Sequence, residues 1–268
     1  MYKRQDLGNL VEALDWYRRA TEADPRDHEL VAALAFWFFQ LEMNEEGDRW
    51  ASRCYAMAPQ TAVCKRAQLQ QAQAHGDNER RLRLAREMIE EDISTRRFGF
   101  TVALFSFADM MANRGQAREA YDFLAEKYPY LLTPEVPPQG LKESLVKRAG
   151  VELMLDFAPR EQTIEAMELW VRHWEDATQD TYDEWGQRMW VHLVKGEISQ
   201  AAEIALADDL SRPLSDNIRW KSRYTDDSMR RVLTDDPRVS ARLGELEVEM
   251  AQLQSEVREM LLEPEWNE

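Results

Sequence analysis

Gly8-Asn9-Leu10-Val11-Glu12-Ala13-Leu14-Asp15-Trp16-Tyr17-Arg18-Arg19-Ala20-Thr21-Glu22-Ala23-Asp24-Pro25 decides how this chain is read. A glycine opens the run, and a proline, which cannot continue a helix, closes it. Between them Ala13, Tyr17 and Ala20 recur at the spacing of one helical face. A shift of 34 residues brings Pro25 onto Pro59, Ala20 onto Cys54, Tyr17 onto Ala51 and Ala13 onto Gly47. A second shift brings Gly8 onto Gly76, at the head of Gly76-Asp77-Asn78-Glu79. Small residues at such positions let two helices approach, and larger neighbours fill the space to the next pair.

A 34-residue period resembles that of the tetratricopeptide repeat. Ala13-x3-Tyr17…Pro25 is similar to the second helix of that repeat. Val31-x2-Leu34-Ala35-x2-Phe38 is similar to the first, with Val31 in place of the usual tryptophan. Leu104-x2-Phe107-Ala108-x2-Met111 repeats it, followed by Gly115 and Ala120 at the spacing of Gly8 and Ala13. Gly196 and Ala201 keep that spacing, and Trp185 stands where the family tryptophan is expected. The resemblance covers about residues 1–210, with degenerate repeats around 62–93 and 141–177. It implies an all-α fold: a right-handed solenoid of antiparallel helix hairpins (a TPR-like superhelix) in which each hairpin buries its apolar face on its neighbours. Gly8 would be the turn glycine of a hairpin whose first helix is mostly missing. We therefore expect a chain cut from a longer protein, or a frayed terminus.

The expected organisation is TPR-like repeats over 1–127, a Pro-rich linker over 128–140, degenerate TPR-like repeats over 141–210, and a C-terminal extension over 211–268. Gly76 and Gly115 are 39 residues apart, and the five extra residues are expected as a longer loop near Ser94–Gly99. The four prolines of 128–140 exclude a helix interior, so this segment links two sub-arrays or lies across a face of one. Further helices are expected near 141–157, 161–176, 182–194 and 199–207. In the last segment, Val239, Leu243, Leu246, Met250, Leu253, Val257, Met260 and Leu261 follow helical spacing. This predicts a long helix capping the last hairpin, with a coiled-coil homodimer as the alternative.

The ending has a resemblance of its own. Leu233, Asp236-Pro237-Arg238 and Val239 before a charged helix are similar to the end of repeat domains in bacterial multidomain signalling proteins, with Val239 replacing a commoner aromatic. Those proteins carry winged-helix DNA-binding or class III adenylate cyclase domains. The resemblance implies an alternative function, a ligand-sensing regulatory domain of a transcriptional regulator or cyclase.

Composition bounds the partners. The chain has 268 residues, 44% hydrophobic and 31% charged, as a folded protein requires. A formal net charge of −16 opposes nucleic-acid binding and approach to an anionic membrane. A basic or apolar protein or peptide partner is expected. No apolar run reaches the roughly 20 residues needed to cross a bilayer, and the first residues lack the apolar region of a signal peptide. A cytoplasmic location is preferred to a periplasmic one. Cys54 and Cys64 are expected as small, partly buried helix residues, or as one disulfide in an oxidising compartment.

No metal-binding spacing, P-loop, GxGxxG or GxSxG occurs, and no catalytic residue, metal or cofactor is assigned. His173 and His192 are expected as packing or surface residues. The expected function is a non-catalytic interaction or scaffold module. In tetratricopeptide arrays the first helix of each hairpin lines a concave groove. By that resemblance the groove positions are Glu29, Ala32, Phe36 and Phe39, then Arg66, Gln70 and Gln73, then Phe105, Asp109 and Asn113, then Trp190. Phe36, Phe39, Phe105 and Trp190 would be apolar anchors for a peptide or protein segment. The run Phe36-Trp37-Phe38-Phe39 covers every side of a helix, so at least two of its members belong to the core.

Overall fold

The computed structural model describes residues 10–91, 97–177, 184–207, 210–212, 214, 224, 230–263 and 266. The described residues form α-helices joined by short turns, with no strand among them. The helices are α1 (Leu10–Ala23), α2 (His28–Gln40), α3 (Asn44–Met57), α4 (Ala62–Ala74), α5 (Asn78–Glu90), α6 (Arg97–Asn113), α7 (Ala117–Lys127), α8 (Leu141–Met154), α9 (Arg160–Ala177), α10 (Glu184–Lys195), α11 (Ile198–Ala207) and α12 (Pro237–Leu261). Of the expected long loop, 92–96 lies outside the described residues. Arg97–Gly99 already belongs to α6, which runs for 17 residues.

The repeat is visible in how the helices end. After α2, α4, α6 and α10 the chain turns through a left-handed residue: Glu42 (φ 56°), Gly76 (65°), Gly115 (72°) and Gly196 (74°). Each turn is closed by the same bond, from the next backbone N–H to the carbonyl five residues earlier: Met43 to Phe38, Asp77 to Ala72, Gln116 to Met111, Glu197 to His192. This satisfies carbonyls that the helix end would otherwise leave open. The second helices end alike: α1, α3 and α7 each stop two residues before a proline, at Pro25, Pro59 and Pro129.

At the first of these turns a glutamate stands where the others have glycine. A left-handed residue with a Cβ costs about 1–2 kcal/mol, while glycine adds unfolded-state entropy. Glu42→Gly is therefore expected to stabilise the protein by about 0.5–1 kcal/mol. A urea-denaturation midpoint that stays or falls would show that the Glu42 side chain outweighs the strain.

Contact grouping divides the chain into two units. Unit 1 comprises 1–84, 212–223 and 240–268; unit 2 comprises 85–211 and 224–239. The division falls within α5 and not at 128–140, the segment expected either to link two sub-arrays or to lie across a face of one. Residues 128–140 belong to unit 2, where Pro129–Leu132 forms a 3-10 turn. There the Lys147 ammonium, buried from α8, donates to the carbonyls of Thr133 (3.1 Å), Pro134 (3.3 Å) and Val136. Leu131 meanwhile sits against Gly150, where an added Cβ would come within 2.5 Å of Leu131 Cδ1. This segment is a packed strap.

In unit 1, α2 packs on α1, α3 and α4. Val31, Leu34, Ala35, Phe38 and Leu41 are fully buried from α2 and its end, as are Ala51 and Cys54 from α3 and Leu69 from α4. Cys54 and Cys64 are also fully buried, and a disulfide joins them across the α3–α4 connection. They are thus bonded, not the separate, partly buried residues that the sequence favoured.

The C-terminal part of α12 belongs to unit 1. Gln254 Nε2 donates to the Leu41 carbonyl (2.8 Å), Trp266 meets Phe38 edge-on at 6.0 Å, and the Arg18 guanidinium lies 5.5 Å from the Trp266 ring centre. The expected cap over the last hairpin is corrected on this point, because α1 and α2 offer this end of the chain an apolar edge and an open carbonyl. Val239, Leu246 and Val257 are fully buried, so much of the seam a coiled coil would use is already covered within the chain.

In unit 2, α6 packs on α7 and α8, and the pairs α7–α8, α8–α9, α9–α10 and α10–α11 follow. Leu104, Phe107, Leu124, Val146, Met167 and Trp190 form the centre of its core. The Asp-Pro-Arg motif starts α12. Leu233 is a buried anchor in the 3-10 turn Arg230–Asp235, and Pro237 is the first helical residue. The Asp236 carboxylate accepts from the Arg238 backbone N–H (2.9 Å) and from its guanidinium (2.8 and 3.1 Å). These bonds, the guanidinium's first, hold the carboxyl down at about 2. Because the folded value is depressed, this stabilisation is complete above the ordinary carboxyl range, near 3.8, and is lost as pH falls towards 2. Asp236→Asn is expected to flatten the fall of the thermal midpoint between pH 4 and pH 2, estimated from those same values. An unchanged acid profile would remove Asp236 from that role.

Candidate functional site

The groove positions lie on α2, α4, α6 and α10, and the structure sorts them into three groups. Glu29 and Asn113 are exposed, at opposite ends of their helices. Phe36, Arg66, Gln73, Phe105 and Asp109 are half-buried. Ala32, Phe39, Gln70 and Trp190 are buried.

Two of the expected anchors are thereby corrected. Phe39 is only 8% exposed, because its ring fills the space left by Gly47 on α3; a Cβ at Gly47 would come within 2.6 Å of that ring. Trp190 is 1% exposed and is a core residue of unit 2. Among the described side chains of α10, Arg188 is exposed and Met189, Trp190, Leu193 and Val194 are buried. Trp185 has no described side chain.

In unit 1 Phe36 is paired with Arg66, whose guanidinium carbon lies 5.2 Å from the ring centre. The pairing joins α2 to α4 through a cation over an aromatic face. One turn along α4 from Arg66, Gln70 is 5% exposed, and its Oε1 is buried with no hydrogen-bond partner among the described residues. A buried acceptor without a donor is uncommon and calls for an explanation.

In unit 2 the counterpart is an arginine in contact with two rings. Arg148 of α8 places its guanidinium carbon 4.7 Å from the Phe105 ring centre and 4.5 Å from that of Trp190. Glu152, one turn further along α8, accepts from Arg148 Nε at 2.7 Å and fixes the guanidinium plane. The groove positions read from the sequence omit Arg148 and Glu152. Their i, i+4 spacing was legible, but it is the spacing of any solvated helix face.

Each unit therefore presents an aromatic ring and an arginine held face to face between its helices. The arrangement offers flat, rigid apolar surface beside fixed N–H donors. Among the described residues no three His, Cys, Asp or Glu side chains cluster to hold a metal ion, and no helix is long and apolar enough to cross a membrane. His192 is half-buried at the end of α10, with Nδ1 2.6 Å from Glu197 Oε2, in the turn closed by the Glu197 N–H.

No protein-family model matches the chain, and no curated protein matches it significantly. The functional reading rests on this geometry and on the repeat.

Proposed function

We propose that the chain is a non-catalytic helical-repeat scaffold of tetratricopeptide type, a right-handed solenoid of antiparallel hairpins, that binds a peptide or protein segment along its first helices. The observation that carries this reading is the aromatic–arginine pairing at first-helix positions of both units, Phe36 with Arg66 and Phe105 with Arg148. The recurring left-handed turn after α2, α4, α6 and α10 supports the repeat itself.

Such a surface suits an extended or helical segment. Its rings are already held by a guanidinium, so little side-chain entropy is lost when an apolar side chain of the partner lands beside them. The net charge of −16 favours a partner with basic residues around its apolar ones, and attraction of this kind weakens as salt rises. The buried Cys54–Cys64 disulfide fits folding in an oxidising compartment.

Selection from a random peptide library displayed on phage tests the proposal. Recovered peptides are expected to pair aliphatic or aromatic residues with lysine or arginine. Phe36→Ala or Phe105→Ala should weaken them about 10-fold or more, as loss of an interface anchor does, with the helical circular dichroism retained. Peptides that bind both variants as tightly as the unaltered chain would discard this surface.

A further inference from the structure

A cavity of about 380 Å³ lies in unit 2 beneath the strap 128–140, walled by α7, α8 and α9. That volume is within the range of small-molecule sites. Its lining is apolar at Leu131, Val151, Met154, Leu169 and the edge of Trp170, and it is charged at Glu135, Lys147 and Glu165.

We propose that this cavity binds a small organic cation, an ammonium or guanidinium group carried on an aromatic or branched apolar body. The charge of the ligand follows from which lining groups remain available. Lys147 is the one cation of the lining, and its ammonium is engaged by the carbonyls of Thr133, Pro134 and Val136. An ammonium has three N–H donors, so none is left for an anionic ligand. Glu165 is exposed on α9 and forms no salt bridge among the described residues, and Glu135 is exposed on the strap. Burial lowers the Lys147 pKa and the charge of Glu135 raises it, so these two charges offset and Glu165 leaves the cavity net negative. The Gln162 amide oxygen adds an acceptor, and the Tyr121 ring an aromatic wall.

The strap over this space is held at two points, Gly150 and Lys147. Gly150 admits Leu131 to a position that any Cβ would block, which draws the strap down at one edge of the hollow. Burial of Lys147 lowers its pKa, the mark of a desolvated ammonium. An apolar residue would have filled the same place at lower cost. What Lys147 gains is a fixed strap. On α8 the cavity face (Lys147, Val151, Met154) lies about 100° around the helix from Arg148, so the site is separate from the aromatic–arginine contacts.

Titration calorimetry of the intact chain with three probes tests the proposal: 3-phenylpropylammonium, its uncharged analogue 3-phenylpropanol, and 3-phenylpropionate. The cation is expected to bind saturably and about 10-fold more tightly than the alcohol, and the carboxylate not at all. Glu165→Gln should reduce that preference about five-fold or more, because it removes a charge and almost nothing else. Ala166→Phe should abolish binding of both cation and alcohol by filling the hollow, and Phe105→Ala should leave both unchanged. Equal binding of cation and alcohol, full affinity for the cation in Glu165→Gln, or no heat from any probe at 10 mM (roughly the weakest useful affinity) would each overturn it. Glu165 is on the surface, so this arm stands even if Ala166→Phe fails to fold.

Discussion

Trp190→Ala lowers the stability of unit 2 by about 3–5 kcal/mol, the largest single-residue effect expected in this protein. The indole is 1% exposed, and one of its faces is covered by the Arg148 guanidinium at 4.5 Å. Truncation opens a cavity and removes one of the two rings that Arg148 contacts, leaving its guanidinium with Phe105 and Glu152. The fitting comparison is Phe105→Ala. That ring lies 4.7 Å from the same guanidinium carbon but is half-buried. Its loss should cost about 1 kcal/mol, the middle of the range for substitutions outside a core. Urea denaturation followed by circular dichroism separates the two. Similar losses for both variants would mean that Trp190 is an accessible anchor after all.

The second large effect concerns the disulfide. Cys54 and Cys64 lie ten residues apart and tie the end of α3 to the start of α4. Closing so short a loop in the unfolded chain is worth about 2–3 kcal/mol by chain entropy. The Cys54→Ala, Cys64→Ala pair, which keeps small residues at both places, is expected to lose that amount. Both sulfurs are fully buried, so dithiothreitol should reduce the folded protein slowly and the partly unfolded protein fast. Thiol labelling in a urea series checks this. Rapid labelling of both cysteines in the folded protein, before any reductant is added, would show that the bond is absent.

How far the sequence carried these conclusions depended on whether the deciding contact was local. The turn glycines Gly76, Gly115 and Gly196 were legible because a left-handed residue has a chemical signature. Glu42 makes the same turn without that signature, and its residue type gives no sign of it. Pro25, Pro59 and Pro129 marked helix ends for the same kind of reason.

Contacts distant in sequence were not legible. The heptad-like spacing of α12 was plain, yet nothing near Gln254 indicates that its amide reaches Leu41, 213 residues away. In the run Phe36-Trp37-Phe38-Phe39, burial of Phe39 depends on Gly47 in the next helix, and burial of Phe38 on Trp266. Trp190 was misplaced because the register of a degenerate repeat put it beside the packing positions, whereas α10 buries it. The segment 128–140 reads equally as a link between sub-arrays or as a stretch across the face of one, because prolines exclude a helix but do not say what the segment lies on. That was decided by one buried lysine on α8.

The aromatic–arginine surface is tested most directly by titrating one library-selected peptide into the unaltered chain, Phe105→Ala and Glu165→Gln. Binding is expected to be about 10-fold weaker in Phe105→Ala and unchanged in Glu165→Gln, whose side chain belongs to the separate cavity. Equal affinity for all three proteins would contradict the proposed binding surface, and the function would then have to be sought elsewhere on the chain.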